Sequence, residues 1–178
     1  YVHADFHGSG SCVVKSNNKQ IPISTLEQAG TFVLCFSKAW QSNVSDRAYY
    51  VNYDQVSKTA TSGEYLSNGS MMVRGKKNYL SMSYLELSVG ILFKVEGDDK
   101  FKTTLTKDDK VVESKAMIAP TKTLINAQYK VKIVPGTAKR NKTLENILSR
   151  FRLVKSITNE YDYVFSIKKP DLDTLIPQ

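Results

Sequence analysis

From Ser24 to Gln41 the chain carries a single apolar stripe, Leu26, Ala29, Val33, Phe36 and Trp40, at the three- and four-residue spacing of a buried helix face. A helix with one apolar stripe must lay it on another layer, so this segment limits the architecture open to its neighbours. Ser24-Thr25-Leu26-Glu27 reads as a capping box, with Ser24 as N-cap and Glu27 three positions on. Gly30, inside the helix, costs about 1 kcal/mol relative to alanine. Such a cost is expected where a strand of a sheet packs closely against the helix.

The covering layer is legible on both sides of the helix. In residues 1–7, YVHADFH, Val2, Ala4 and Phe6 face one way and His3, Asp5 and His7 the other. Gly8-Ser9-Gly10 reads as a turn and Ser11 to Lys15 as a returning strand. Arg47 to Tyr53 is a strand whose Tyr49, Tyr50 and Tyr53 suit sheet packing better than base stacking. Tyr84 to Val95 is a long strand, expected to bend or bulge at Gly90. These segments predict an α+β domain over residues 1–96, a mixed or antiparallel sheet with one long packed helix.

Residues 97–119, charged and weakly periodic, are expected to be a linker with room for one frayed strand. A small basic α+β module is expected over 120–178. In it Tyr129, Val131 and Ile133 alternate with Lys130 and Lys132 along a half-buried strand. Pro135-Gly136 turns the chain. A helix from about Thr143 to Lys155 then buries Leu144, Ile147, Leu148, Phe151 and Val154, and Tyr161 to Ile167 closes the module.

Cations gather in two places. Residues 53–79 read as a polar loop with Lys58, a turn at Asn68-Gly69, a short strand at Met71-Met72-Val73 and a basic tip, Arg74-Gly75-Lys76-Lys77. With Tyr65 and Tyr79 nearby, the tip suits a phosphate backbone and stackable bases, and it equally suits a solvated hairpin end. The second place is 120–156, with nine Lys or Arg against the lone acid Glu145, in a chain of formal net charge +8. Its loop Lys139-Arg140-Asn141-Lys142 lies just before a helix start, where the helix dipole favours phosphate. The natural partner of such a patch is a polyanion, RNA before membrane.

Chemistry of other kinds has little to stand on. His3, Asp5 and His7 share a strand face, so a metal site or an acid/base pair for a nuclease or hydrolase is geometrically conceivable. Any polar strand face looks the same, and a fourth ligand would have to come from an unidentified carboxylate or thiol. Ser57 and Lys58 are adjacent and would point apart on a strand. The chain has no G-x-x-x-x-G-K-[ST], G-x-G-x-x-G or G-x-S-x-G motif, so no catalytic residue, metal or cofactor is expected. Cys12 and Cys35 read as small buried thiols of a reducing compartment, and no apolar run has the length of a membrane span. The sequons at Asn43, Asn68 and Asn141 read as chance.

The runs YVHADFHGSGSCVVK, IPISTLEQAGTFVLCFSKAW, YVNYDQVSKTATSGEYLSNGSMMVRGKKNYL and VGILFKVE closely resemble, in order, the NFACT-R domain of the NEMF/Caliban/RqcH family of ribosome-associated quality-control factors. NAQYKVKIVPGTAKRNKT resembles that family's NFACT-C domain. The resemblance implies binding to a large ribosomal subunit obstructed by peptidyl-tRNA, with contacts to tRNA and rRNA. It also implies support of C-terminal tailing, recruitment of a Listerin-type ubiquitin ligase, and a cytoplasmic location. The opening strands of NFACT-R, the NFACT-N region and the coiled coil of the family are expected to lie outside this chain, and with them most ligase contacts. Carried over residue by residue, the RNA-facing candidates are His3, Asp5, His7, Lys58, Arg74, Lys76 and Lys77. Arg47, at the head of the aromatic strand, and Lys139, Arg140 and Lys142 of the basic loop complete the set. A general nucleic-acid or protein interaction module remains the other binding possibility.

Overall fold

A computed structural model describes residues 1–67, 69–81, 83–153 and 167–177. They divide into two compact units, Tyr1–Leu85 and Glu86–Gln178, each built from helices and antiparallel strands, so the class is α+β.

The first unit runs β1 (Val2–Ala4), α1 (Ile23–Cys35), α2 (Lys38–Ser42), β2 (Ala48–Tyr50), a 3-10 turn (Tyr53–Gln55), β3 (Val56–Ser57), β4 (Met72–Val73) and β5 (Asn78–Tyr79). Strands β1, β2 and β5 form one sheet in that order, and β3 pairs with β4 in a separate ribbon. Helix α1 packs on β1 and β2. Its buried face is Leu26, Gly30, Val33, Leu34 and Cys35, rotated slightly from the predicted stripe. The rotation follows from Gly30: a Cβ placed there would lie 2.9 Å from both Ala48 Cβ and Leu80 Cδ1, so helix and sheet meet closest at this residue. The expected close packing at Gly30 is present.

The ends of α1 differ from expectation. No side chain caps its N-terminus; Pro22 is the N-cap, and Ser24 lies inside the first turn. The Glu27 carboxylate instead accepts from Ser81 Oγ at 2.9 Å. A missing side-chain cap costs about 1 kcal/mol, less than one fully buried Leu34 contributes at about 1.5–3 kcal/mol, so packing holds this helix. The single helix expected to reach Gln41 breaks at Phe36–Ser37. There Ser37 Oγ donates to Leu34 O (2.7 Å) and accepts from Ala39 N (3.1 Å), capping α2. Strand β1 also ends early. After Ala4 the chain turns, with Ser9 N donating to Phe6 O, so His7 leaves the strand that carries His3. The returning segment is reduced to a bridge between Val2 and Cys12.

The second unit runs β6 (Leu87–Val95), β7 (Phe101–Lys102), β8 (Val111–Pro120), β9 (Lys130–Ile133), α3 (Arg140–Leu153) and α4 (Lys169–Asp173). Central strand β6 pairs antiparallel with β8 along its length, with β7 near its C-terminal end and with β9 near its start. Leu87, Val89, Ile91 and Phe93 of β6 are fully buried, and so are Leu144 and Ile147 of α3 and Leu172 of α4. Strand β9 has the predicted alternation, with Ile133 buried and both lysines exposed.

The boundary expected after Glu96 falls between Leu85 and Glu86, because β6 finds its hydrogen-bonding partners downstream. The expected linker 97–119 holds β7 and most of β8. Its charges hid the pairing: they sit on partly exposed faces, where Lys115 pairs with Glu113 (2.9 Å) and Lys102 with Asp109 (2.7 Å). No bulge occurs at Gly90, which pairs in register with Met117; the irregularity lies between Lys94 and Val95. Helix α3 begins at Arg140, three residues before the expected start. Val154, the expected helix end at Lys155, the closing strand from Tyr161, and Asn68 of the hairpin turn lie outside the described residues.

Candidate nucleic-acid interface

On the sheet face away from α1, His3, Tyr49 and Tyr79 stand directly opposite one another across β1, β2 and β5. Period-two alternation places them together, because their neighbours Val2, Ala4 and Ala48 face the helix. Tyr1 stacks on His3 with centroids 5.9 Å apart, and Tyr49 meets Tyr79 edge-on at the same spacing. The Lys77 ammonium lies over the Tyr49 ring, 4.3 Å from its centroid. It then reaches Asp5, donating to the two carboxylate oxygens at 2.7 and 2.9 Å, and the Tyr79 hydroxyl donates to Asp5 at 2.8 Å.

The titration of this group follows from its surroundings. Desolvation pushes the Asp5 carboxyl up, but the hydrogen bonds from Lys77 and Tyr79 outweigh it and hold the pKa below the ordinary value. The bond to Asp5 raises both the Lys77 ammonium and the Tyr79 hydroxyl. Burial lowers His3 against the opposing pull of the Ser9 backbone and Asp5, which favours a neutral ring at pH 7.

The basic tip is held by three attachments. Gln55 Nε2 donates to the carbonyl oxygens of Arg74 (2.8 Å) and Lys76 (3.1 Å), while Arg74 N donates to Gln55 O (2.9 Å). Gly75, at φ +77° with Gln55 Nε2 only 3.1 Å from where a Cβ would sit, gives the backbone the left-handed turn and the space this clasp needs. Arg74 donates to Glu64 at 2.5 Å and to Thr61 Oγ1 at 3.0 Å, and Thr61 also donates to Glu64 at 2.6 Å. The Thr61 and Arg74 bonds pull the Glu64 carboxyl down to a pKa of about 2. The third attachment is the Lys77–Asp5 pair.

The candidate cations therefore separate into two kinds. Arg74 and Lys77 are bound internally, and so is Arg140. Its guanidinium donates to Asp173 Oδ1 (2.7 Å), Pro177 O (3.0 Å) and the Asp173 carbonyl, fastening the start of α3 to the C-terminal segment. Lys58, Lys76, Lys139 and Lys142 are exposed and make no side-chain bond or ion pair among the described residues; the same holds for Arg47 and His7. Lys58, Glu64, Tyr65, Ser67 and Met71 line an open depression of about 700 Å³.

His3, on β1, and Asp5, in the bend just past its end, stay close enough to interact electrostatically, whereas His7 stands off the strand. No three His, Cys, Asp or Glu side chains among the described residues are grouped to hold a metal ion. Tyr49, 3% exposed beneath Lys77, is sheet packing as expected, but Tyr53 is 90% exposed. Sequence reasoning missed Gln55, Thr61 and Glu64. Gln55 bonds a residue 19 positions away, a distance over which no periodicity operates. The Thr61-x-x-Glu64 spacing was the one local signal, since that pattern commonly marks reciprocal hydrogen bonds.

Residues 1–75 match the NFACT protein RNA binding domain family, and residues 94–174 match the NFACT protein C-terminal domain family. The chain is 54% identical over 97 residues to the human ribosome quality control complex subunit NEMF, covering 54% of this chain and 9% of that protein. It is 32% identical over 152 residues to the archaeal Rqc2 homolog aRqcH of Methanocaldococcus jannaschii, covering 84% of this chain and 20% of that protein. It is 43% identical over 98 residues to the Schizosaccharomyces pombe ribosome quality control complex subunit 2, covering 54% of this chain and 10% of that protein. The chain thus spans a fifth or less of the length of these relatives.

Proposed function

The chain belongs to the NFACT family, and on that premise we propose that it is the RNA-binding part of a ribosome quality-control factor. It engages large ribosomal subunits obstructed by peptidyl-tRNA through tRNA and rRNA phosphates. The observation that carries this reading is the basic tip, clasped by Gln55 within the unit that matches the RNA-binding domain and presenting Lys76 with no ion pair among the described residues. A cation without an internal partner can release counterions from a phosphate backbone, whereas Lys77 and Arg74 would first have to give up a carboxylate. Lys58 and Arg47 add exposed charge to the same unit, and Lys139 and Lys142 supply it on the second.

The role is binding, without a catalytic step. Asp5 is engaged by Lys77 and Tyr79 and His7 stands off the strand, which supports binding over acid/base work by His3, Asp5 and His7. Support of C-terminal tailing and recruitment of a Listerin-type ligase are proposed at the level of the assembled complex, in the cytoplasm where such subunits occur.

The test is binding of tRNA and isolated large subunits across a salt series. Lys76→Glu is expected to weaken binding and flatten the salt dependence by about 0.7–0.9 in log–log slope for each phosphate left without its cation. Unchanged affinity and slope would overturn the reading. Equal competition by DNA of similar length would favour a general polyanion-binding module.

A further inference from the structure

Tyr53 opens a turn closed by two hydrogen bonds, Gln55 N to Asn52 O (3.1 Å) and Asn52 N to Gln55 Oε1 (3.0 Å), yet its side chain is 90% exposed. A single exposed aromatic is ordinary. What distinguishes this one is its coupling to the basic tip. The Gln55 side chain that closes the turn through Oε1 also holds the carbonyls of Arg74 and Lys76 through Nε2. One side chain therefore locks the ring-bearing turn to the cation-bearing tip. Within the tip, Lys76 keeps no ion pair among the described residues, while Arg74 and Lys77 are matched by Glu64 and Asp5. In the neighbouring sheet, Tyr49 lies under Lys77, and the Tyr79 hydroxyl is bound to Asp5.

We propose that Tyr53 and Lys76 form a subsite for one unpaired nucleotide of single-stranded RNA, with the base stacked on the Tyr53 ring and a flanking phosphate on the Lys76 ammonium. This deepens the RNA-binding reading and rests on it. A base within a duplex has both faces covered by its neighbours, so the subsite selects unpaired RNA. Asp54, exposed beside Tyr53, repels phosphate and leaves the tip as the favourable side for the backbone. Because Tyr53 buries almost nothing, removing its ring leaves the fold intact and the variant informative.

The experiment measures binding of an unstructured single-stranded RNA, and of the same strand annealed to its complement, to the full chain and its variants. Tyr53→Ala is expected to weaken single-strand binding roughly tenfold, with duplex binding and thermal midpoint unchanged, and Tyr53→Phe to bind as the wild type. Lys76→Gln is expected to lower the single-strand salt slope by about 0.7. Asp54→Asn is expected to tighten binding. If the wild type binds single strands and Tyr53→Ala binds them equally well, the subsite is overturned while the RNA-binding reading stands. A loss confined to Tyr65→Ala would move the base to the neighbouring depression and also overturn it. If the wild type binds no RNA of either kind, the RNA-binding reading itself falls.

Discussion

Asp5 and Lys77, 72 positions apart in the chain, meet with the ammonium 2.7 and 2.9 Å from the two carboxylate oxygens. The pair joins the bend that follows the first strand to the basic tip and commits to internal order a cation that composition alone assigns to solvent or RNA. Its neighbours give it more weight than an isolated surface pair, since Tyr49 lies beneath the ammonium and Tyr79 completes the carboxylate.

This pair makes stability depend on pH at both ends. Asp5 has a lowered pKa, so its contribution is present above the ordinary aspartate value of 3.8 and is lost as the pH falls through the folded value. Lys77 has a raised pKa, so its contribution is present below the ordinary lysine value of 10.5 and is lost as the pH rises through the folded value. Asp5→Asn is expected to cost up to about 1 kcal/mol at neutral pH, since both groups are partly exposed. Urea midpoints of the variant and wild type should converge in acid; a constant gap would show that the charge is not responsible.

Glu64 is expected to titrate near 2 in the intact tip, against an ordinary value of 4.5. Its carboxyl carbon, followed by NMR, reports this directly. Thr61→Val removes the largest cause and Arg74→Met the next, so each should move the midpoint upward. A midpoint that stays put in both variants would mean the Arg74–Glu64–Thr61 cluster does not persist in solution.

Gly30→Ala is expected to destabilise the first unit by about 1–3 kcal/mol, although alanine is the better helix former by about 1 kcal/mol. The new methyl would lie 2.9 Å from Ala48 Cβ, which cannot rotate away. Thermal denaturation decides the sign. A gain in midpoint would place the helix farther from the sheet than the structure has it.

Arg140 and its neighbours Lys139 and Lys142 should respond differently to substitution. Arg140→Ala is expected to destabilise the second unit by about 2 kcal/mol, because several charge-assisted bonds to the C-terminal segment disappear. Lys139→Gln and Lys142→Gln are expected to leave the thermal midpoint unchanged and lower the salt slope of RNA binding. Paired melting and salt-titration curves separate the roles.

The match of expectation and structure depended on the range of the interaction involved. The apolar stripe of α1, the close approach at Gly30 and the alternation of β9 were legible because each is a local periodicity imposed by one neighbouring layer. Charged β8 was not legible, because an antiparallel strand with a partly solvated face can carry Glu113 and Lys115 without disturbing its hydrogen bonds to β6. Assigning β6 to the wrong unit had the same origin, since strand pairing is chosen by partners and not by the strand's own composition.

The amino-acid order by itself determined the α+β class, the helix against a sheet, the family and the gathering of cations at residues 74–77 and 139–142. Only the tertiary structure decided which of those cations remain available, withdrawing Arg74, Lys77 and Arg140 into internal bonds and leaving Lys76, Lys139 and Lys142 exposed. The physical reason is reach. Periodicity records forces between residues a few positions apart, whereas a charge is neutralised by whatever the folded chain brings within about 4 Å, however distant in sequence.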